Sequence, residues 1–201
     1  MNSAPAVDPV LADCIARGAR GEEAACGQLF HSQYPPVFRL CLALLNDLAD
    51  AEEVAQDTFV YAFRRLAQYD PARAAFRTWL FTIALSRCRN KRRRKWLEQL
   101  PLEALAGVAP ATPRIVEAAL ERRGVRAQLW AALQTLPAPL REAVVLRYLG
   151  ELRFRELGEA LGCNPKTADS RVRLGIERMR RYFEAAGAAP EQMLTELAGW
   201  P

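Results

Sequence analysis

A single histidine, His31, leaves the chain without zinc-ligand spacing, and its five cysteines, Cys14, Cys26, Cys41, Cys88 and Cys163, include no CxxC pair. Such thiols are expected as small core filler. Without a second imidazole, a Gly-rich phosphate loop or metal-ligand spacing, nothing can be assigned as catalytic base, nucleophile or ion site. The expectation is a protein that catalyses nothing and holds no cofactor. No stretch approaches membrane-spanning length, and the N-terminus, with Asp8 and Asp13 among Ala, Pro and Val, lacks the basic start and apolar run of a signal peptide. A cytoplasmic chain with no membrane insertion is expected. Strict apolar alternation, the mark of a half-buried strand, is also missing.

What is present is apolar residues at helical spacing and charge unevenly placed. With 201 residues, 51% of them hydrophobic, the chain can bury one or two cores. Residues 1–60 carry three basic and nine acidic side chains, whereas 61–96 carry eleven basic and one acidic. Residues 97–140 are balanced, 141–183 hold ten basic against six acidic, and the tail from 184 holds three acidic and no basic side chains. Two separate basic blocks, one behind an acidic segment, point to two contacts with a polyanion and one with something basic.

Helical periodicity predicts an all-α fold. Ala51, Val54, Ala55, Thr58, Phe59, Ala62, Phe63 and Leu66 follow an i, i+3, i+4 pattern, and Asp50 with Glu53 has the spacing of a capping box. Upstream, helices are expected over Leu11–Ala16 and Ala24–Leu45, interrupted near Gly18 to Gly21 and at Pro35-Pro36. After a break at Asp70-Pro71, Phe76, Trp79, Leu80 and Ile83 start a helix running to about Lys95. Pro101, Gly107, Pro110 and Pro113 mark a linker. Periodicity resumes through Leu120, Leu129, Leu133 and Leu136, stops at Pro137-Ala-Pro139 and restarts at Arg141. Two helical domains, 1–96 and 115–184, are therefore expected, joined by a short linker at 97–114 and followed by a tail at 185–201. In that tail Met193, Leu194 and Leu197 could form a short helix or fray.

Three local patterns carry function. In the first, Phe154, Leu157 and Leu161 form a short helix that ends at Gly162, and Asn164-Pro165 supplies an N-cap and a first-turn proline for the next. This is a helix-turn-helix layout, with Ala168, Val172, Ile176, Met179 and Phe183 buried and Lys166, Ser170 and Arg173 outward, Thr167 and Arg171 near the edge. The plain alternative is a helical hairpin with a solvated basic face. The second is seven positive charges in the nine residues from Arg87 to Lys95. Alone it reads equally as solvated surface, but Arg64, Arg65, Tyr69, Arg73, Phe76, Arg77 and Trp79 lie just upstream, and aromatics mixed with arginines hold unpaired bases. Against that, Phe76 and Trp79 could simply be core. Third, Glu52, Glu53, Gln56 and Asp57 make an acidic face, either solvated or a dock for a basic protein.

The stretch Asp50-Ala-Glu-Glu-Val-Ala-Gln-Asp-Thr-Phe59, then Tyr69-Asp-Pro, Phe76-Arg-Thr-Trp-Leu80 and Ile83-Ala84, resembles the second conserved region of bacterial sigma factors. Leu136-Pro137, Arg141-Glu142, Leu146-Arg147-Tyr148 and Leu161-Gly162-Cys163 through Ser170-Arg171 resemble the fourth. With little else, the chain resembles the extracytoplasmic-function (ECF) class. The resemblance implies a protein that binds core RNA polymerase through Asp50, Glu53, Gln56 and Asp57 and directs promoter recognition for a stress- or signal-responsive regulon. It places the minus-ten element on Arg64, Arg65, Tyr69, Asp70, Arg73, Phe76 and Arg77. The following basic helix, with Arg87, Arg89, Lys91, Arg92, Arg93 and Arg94, would track the DNA backbone. The minus-thirty-five element falls to Lys166, Thr167, Ser170, Arg171 and Arg173, and an anti-sigma factor is an implied partner.

The chain departs from the family pattern at Asp169 and Leu174, where basic or polar residues are common. Arg153 stands where a capping Ser is usual, and Ser86 and Asn90 where Asn and Asp are common. The alternative reading of the whole chain is a conventional helix-turn-helix regulator with an N-terminal dimerisation or sensing domain.

Overall fold

The computed structural model describes residues 8–98 and 125–187, and every regular element among them is helical. Most of the expected linker, the periodic stretch around Leu120 and nearly all of the tail lie outside the described residues.

Helix α1 (Pro9–Ala19) starts where the Asp8 carboxylate accepts the Val10 N–H at 3.0 Å, with Pro9 in the first turn. Helix α2 (Glu23–Leu45) runs unbroken through Pro35 and Pro36, against the expected interruption. Two ladder N–H groups are missing there, but Pro35 is exposed, so the carbonyls freed near it can turn to water. The opposite face buries Leu29, Val37, Leu40 and Leu44. Packing outweighs local propensity.

Helix α3 (Leu48–Arg64) begins one turn earlier than the expected cap. The Asp47 side chain accepts the Asp50 N–H at 3.0 Å, so Asp50 is a capped residue and not the cap. After a short 3-10 turn at Leu66–Gln68 the chain rounds a corner, where the Asp70 carboxylate accepts the Ala72 N–H and the Tyr69 hydroxyl donates to the Ala74 carbonyl at 2.9 Å. Helix α4 (Phe76–Glu98) then carries the basic block.

Helices α5 (Val125–Thr135) and α6 (Ala138–Tyr148) precede α7 (Phe154–Leu161) and α8 (Pro165–Ala185). Helix α6 starts at Ala138, earlier than expected, because Pro139 falls in its first turn, where an N–H would have no helical partner. Phe59, Leu80 and Leu85 anchor the core of the α1–α4 half, and Leu129, Leu133, Val144, Met179 and Phe183 that of the α5–α8 half. All five cysteines are free. Cys14, Cys41 and Cys88 are buried, as core filler should be, while Cys26 and Cys163 are half-buried. A bond to Cys88 and burial push the Cys41 thiol well above its usual range.

The two halves pack directly on each other. Trp130 Nε1 donates to Asn46 Oδ1 at 2.8 Å, and Gln134 donates to the Ala43 carbonyl at 3.1 Å. Between α6 and α7 the backbone of Gly150 lies so close to Phe81 of α4 that a Cβ there would sit 3.0 Å from the ring and 2.4 Å from the Leu146 carbonyl.

Candidate nucleic-acid interface

The acidic face of α3 and the basic block of α4 meet. Lys91 bridges Asp50 at 3.4 Å and Glu53 at 2.5 Å, Lys95 pairs with Asp50 and reaches Asp47 at 3.6 Å, and Arg87 contacts Asp57 at 3.4 Å. The bond to Glu53 raises the Lys91 pKa, with Asp50 adding to it against the effect of burial. Burial works against the Lys95 ammonium, but Asp50 and Asp47 outweigh it and its pKa is also raised. The bond from the Asp50 N–H holds the Asp47 carboxyl below its ordinary value. Of the four acidic-face residues assigned to polymerase, Asp50 is buried, while Glu53, Gln56 and Asp57 are exposed. Glu52, Gln56 and Val60, at i, i+4 and i+8, form an exposed outer stripe that the ion pairs leave uncovered. Val60 escapes a reading by charge because it is apolar.

At the corner, Phe76 is buried in the core, which corrects its assignment as a base-stacking side chain. Tyr69 is half-buried, its ring 5.3 Å from both Phe76 and Trp79. Arg64, Arg65, Asp70 and Arg73 are exposed. Sequence reasoning missed Tyr61, whose ring carries the guanidinium groups of Arg65 and Arg87 each 4.7 Å from its centroid. The i, i+4 spacing of Tyr61 and Arg65 was the available signal; Arg87 comes from another helix. An open cleft of about 480 Å³ lies beside them, lined among others by Gln68, Trp79, Ser86 and Asn90. Ser86 and Asn90 are exposed in it.

Along α4 the charges part company. Arg93 and Arg94 project into solvent, whereas Lys91 and Arg87 face α3. Arg89 and Arg92 both bind Glu142 of α6. Arg77 lies 3.5 Å from Glu151 and 3.4 Å from the Leu149 carbonyl, across the seam between the halves.

In the second half, Gly162 ends α7 at a φ of +69°, a left-handed conformation that glycine adopts without strain, and Asn164 Oδ1 caps α8 by accepting the Thr167 N–H at 2.7 Å. Lys166, Ser170 and Arg173 are exposed along one stripe, with Leu174 at its edge. Thr167, Asp169 and Arg171 are half-buried, and Arg171 leans on Cys163 at 3.8 Å. Arg153 provides no side-chain cap for α7, but Glu156 accepts the Arg153 N–H at 2.8 Å, so one half of a capping box survives. The outward stripe on a helix set after a tight turn is the geometry that enters a major groove.

A capped helix-turn-helix behind a basic four-helix half defines a DNA-binding protein of transcription. The family model "Sigma-70 region 2" matches residues 29–98 and "Sigma-70, region 4" matches 126–179. The ECF RNA polymerase sigma factor RpoE of Cereibacter sphaeroides is 31% identical, over 81% of this chain and 88% of the relative. CnrH, solved in complex with the cytosolic domain of CnrY, superposes with a TM-score of 0.65 at 25% identity, covering 86% of this chain and 96% of CnrH. The sigma factor RpoE of Bartonella quintana shares the fold, with a TM-score of 0.63 at 21% identity over 79% of this chain and 96% of its own. The chain belongs to the sigma-70 family, in its ECF class, and directs transcription initiation.

Proposed function

We infer that the protein acts in the cytoplasm by binding and selection alone, with its residues divided among three surfaces. No helix among the described residues is long and apolar enough to cross a membrane. Core polymerase docks on the exposed part of α3, Glu53, Gln56 and Asp57 with Glu52 and Val60, while Asp50 holds that helix against α4. Arg64, Arg65, Tyr69, Asp70, Arg73 and Arg77 form the minus-ten surface around the Tyr61 cleft, with Phe76 as its core support. Arg87, Arg89, Lys91, Arg92, Arg93 and Arg94 lie along the path of the DNA backbone. The upstream element is read by Lys166, Ser170 and Arg173, flanked by Thr167 and Arg171. The observation that carries this reading is the outward Lys166, Ser170 and Arg173 stripe on a capped helix of a sigma-70 region 4 match. Domains 1–96 and 115–184, with linker 97–114 and tail 185–201, frame the same division.

CnrH was solved with the cytosolic domain of a partner. The sigma factor RpoE of Bartonella quintana was solved with the anti-sigma factor NepR, and by that likeness an anti-sigma factor is the expected regulator here, serving a stress- or signal-responsive regulon. The test is reconstitution with core polymerase followed by footprinting. Specific protection should require both proteins, and Glu52→Lys with Gln56→Lys should abolish co-purification with core while leaving helicity intact. Protection of a palindromic site by the free chain would replace this reading with that of a conventional regulator.

A further inference from the structure

Leu174 is 47% exposed, and among the described residues it is the only exposed large apolar side chain of the α5–α8 half. A single exposed leucine is ordinary on a protein surface. This one is fixed in place by its neighbour. Gly175 lets α8 approach α6 so closely that a Cβ there would sit 2.6 Å from Val144 Cγ2, so the helix cannot roll to bury Leu174. Leu174 follows Ser170 by one turn, on the same outward face. Beside it Lys166 and Arg173 are exposed and make no ion pair among the described residues. The Ser170 hydroxyl donates to the Lys166 carbonyl at 2.9 Å, which leaves its oxygen open to accept. One turn further on the face changes, because Glu177 stands 3.1 Å from Arg181 and 3.9 Å from Arg180. The part of α8 whose charges are not neutralised within the chain therefore ends at Leu174.

In the major groove the base edges present hydrogen-bond donors and acceptors with one apolar exception, the C5-methyl group of thymine. We propose that Leu174 sets the preference at one upstream position by packing on a pyrimidine C5-methyl, so that thymine is selected there and 5-methylcytosine is preferred to cytosine. Against a base without that methyl, the leucine would cover polar groups and give them no hydrogen bond in return for the water it displaces. Arg173, the preceding residue, points about 100° away around the helix, so the two side chains reach different groups on the groove floor. Arg173 supplies hydrogen bonds and Leu174 an apolar contact, which no lysine or arginine at position 174 could make.

This role rests on α8 lying in the major groove, as inferred above, and the experiment tests the two apart. Holoenzyme is reconstituted from core polymerase and the full chain as wild type, Leu174→Ala and Arg173→Ala, both changes being at exposed positions that leave the core of the half untouched. Each selects fragments from a random duplex pool, and sequencing of the bound DNA gives the upstream element. Each thymine of the wild-type element is then replaced by uracil, which removes the methyl alone, and affinity is titrated by fluorescence anisotropy. At one position uracil should weaken wild type about fourfold, the worth of one buried methyl, and leave Leu174→Ala unchanged. A second pair of duplexes, with cytosine or 5-methylcytosine at that position, should differ by about the same factor for wild type and bind Leu174→Ala equally. Tolerance of uracil at every upstream thymine by wild type, with Arg173→Ala still losing a base preference, overturns the role of Leu174 and leaves the groove reading standing. A methyl effect that persists in Leu174→Ala belongs to another side chain and overturns it equally. Should neither variant alter the selected upstream sequence, α8 is not the reading helix, and the inference falls with that assignment.

Discussion

Replacing Asp50 by Ala should destabilise the first half of the molecule far more than replacing its neighbour Glu53. The Asp50 side chain is 11% exposed and serves Lys91, itself 19% exposed, and Lys95, 42% exposed. Breaking one side of a fully buried pair costs about 3–5 kcal/mol. Here Glu53 still holds Lys91 and water reaches Lys95, so about 2 kcal/mol is the expected loss. At about 4–8 °C per kcal/mol for a domain of under a hundred residues, the midpoint should fall by roughly 8–16 °C. Glu53 is 56% exposed, and its removal should cost under about 1 kcal/mol, as surface pairs do. Thermal unfolding by far-UV circular dichroism measures both. Equal shifts for the two variants would refute the division of α3 into an anchored acid and exposed ones.

The α3–α4 ion pairs also set a pH window. The depressed Asp47 carboxyl contributes stability above about pH 4 that is lost as pH falls through its folded value. The raised Lys91 and Lys95 contribute fully below about pH 10.4 and are lost as pH climbs past their folded values, so melting points should plateau between the two limits, and Asp47→Asn should flatten the acid limb. On α8, Arg173→Ala should lose about 1–3 kcal/mol of discrimination at defined upstream bases, whereas Asp169→Ala should tighten binding of the same duplex in anisotropy titrations by removing a charge that repels phosphate. Glu156→Ala should lower the midpoint of the second half by an amount equivalent to about 1 kcal/mol, because it frees the Arg153 N–H at the start of α7.

The amino-acid order by itself determined the helices and the identity of the family. Apolar spacing located α3, α4 and the buried stripe of α8, and Gly162 with Asn164-Pro165 marked the turn of the helix-turn-helix, because these signals are local and act within a turn or two of chain. Where tertiary packing competes with local rules, only the folded molecule decided. Pro35 and Pro36 stay within α2 because its inner face is fully packed. Phe76 went to the core and Tyr61 to the surface between two arginines, a choice that helical periodicity leaves open for residues near a corner. Segment charges placed acid and base in separate stretches, yet Asp50 meets Lys91 and Lys95, and Glu142 meets Arg89 and Arg92, across gaps of some fifty residues and fewer. Ion pairs between helices depend on which faces are brought together, and that is a property of the packed chain and not of its order.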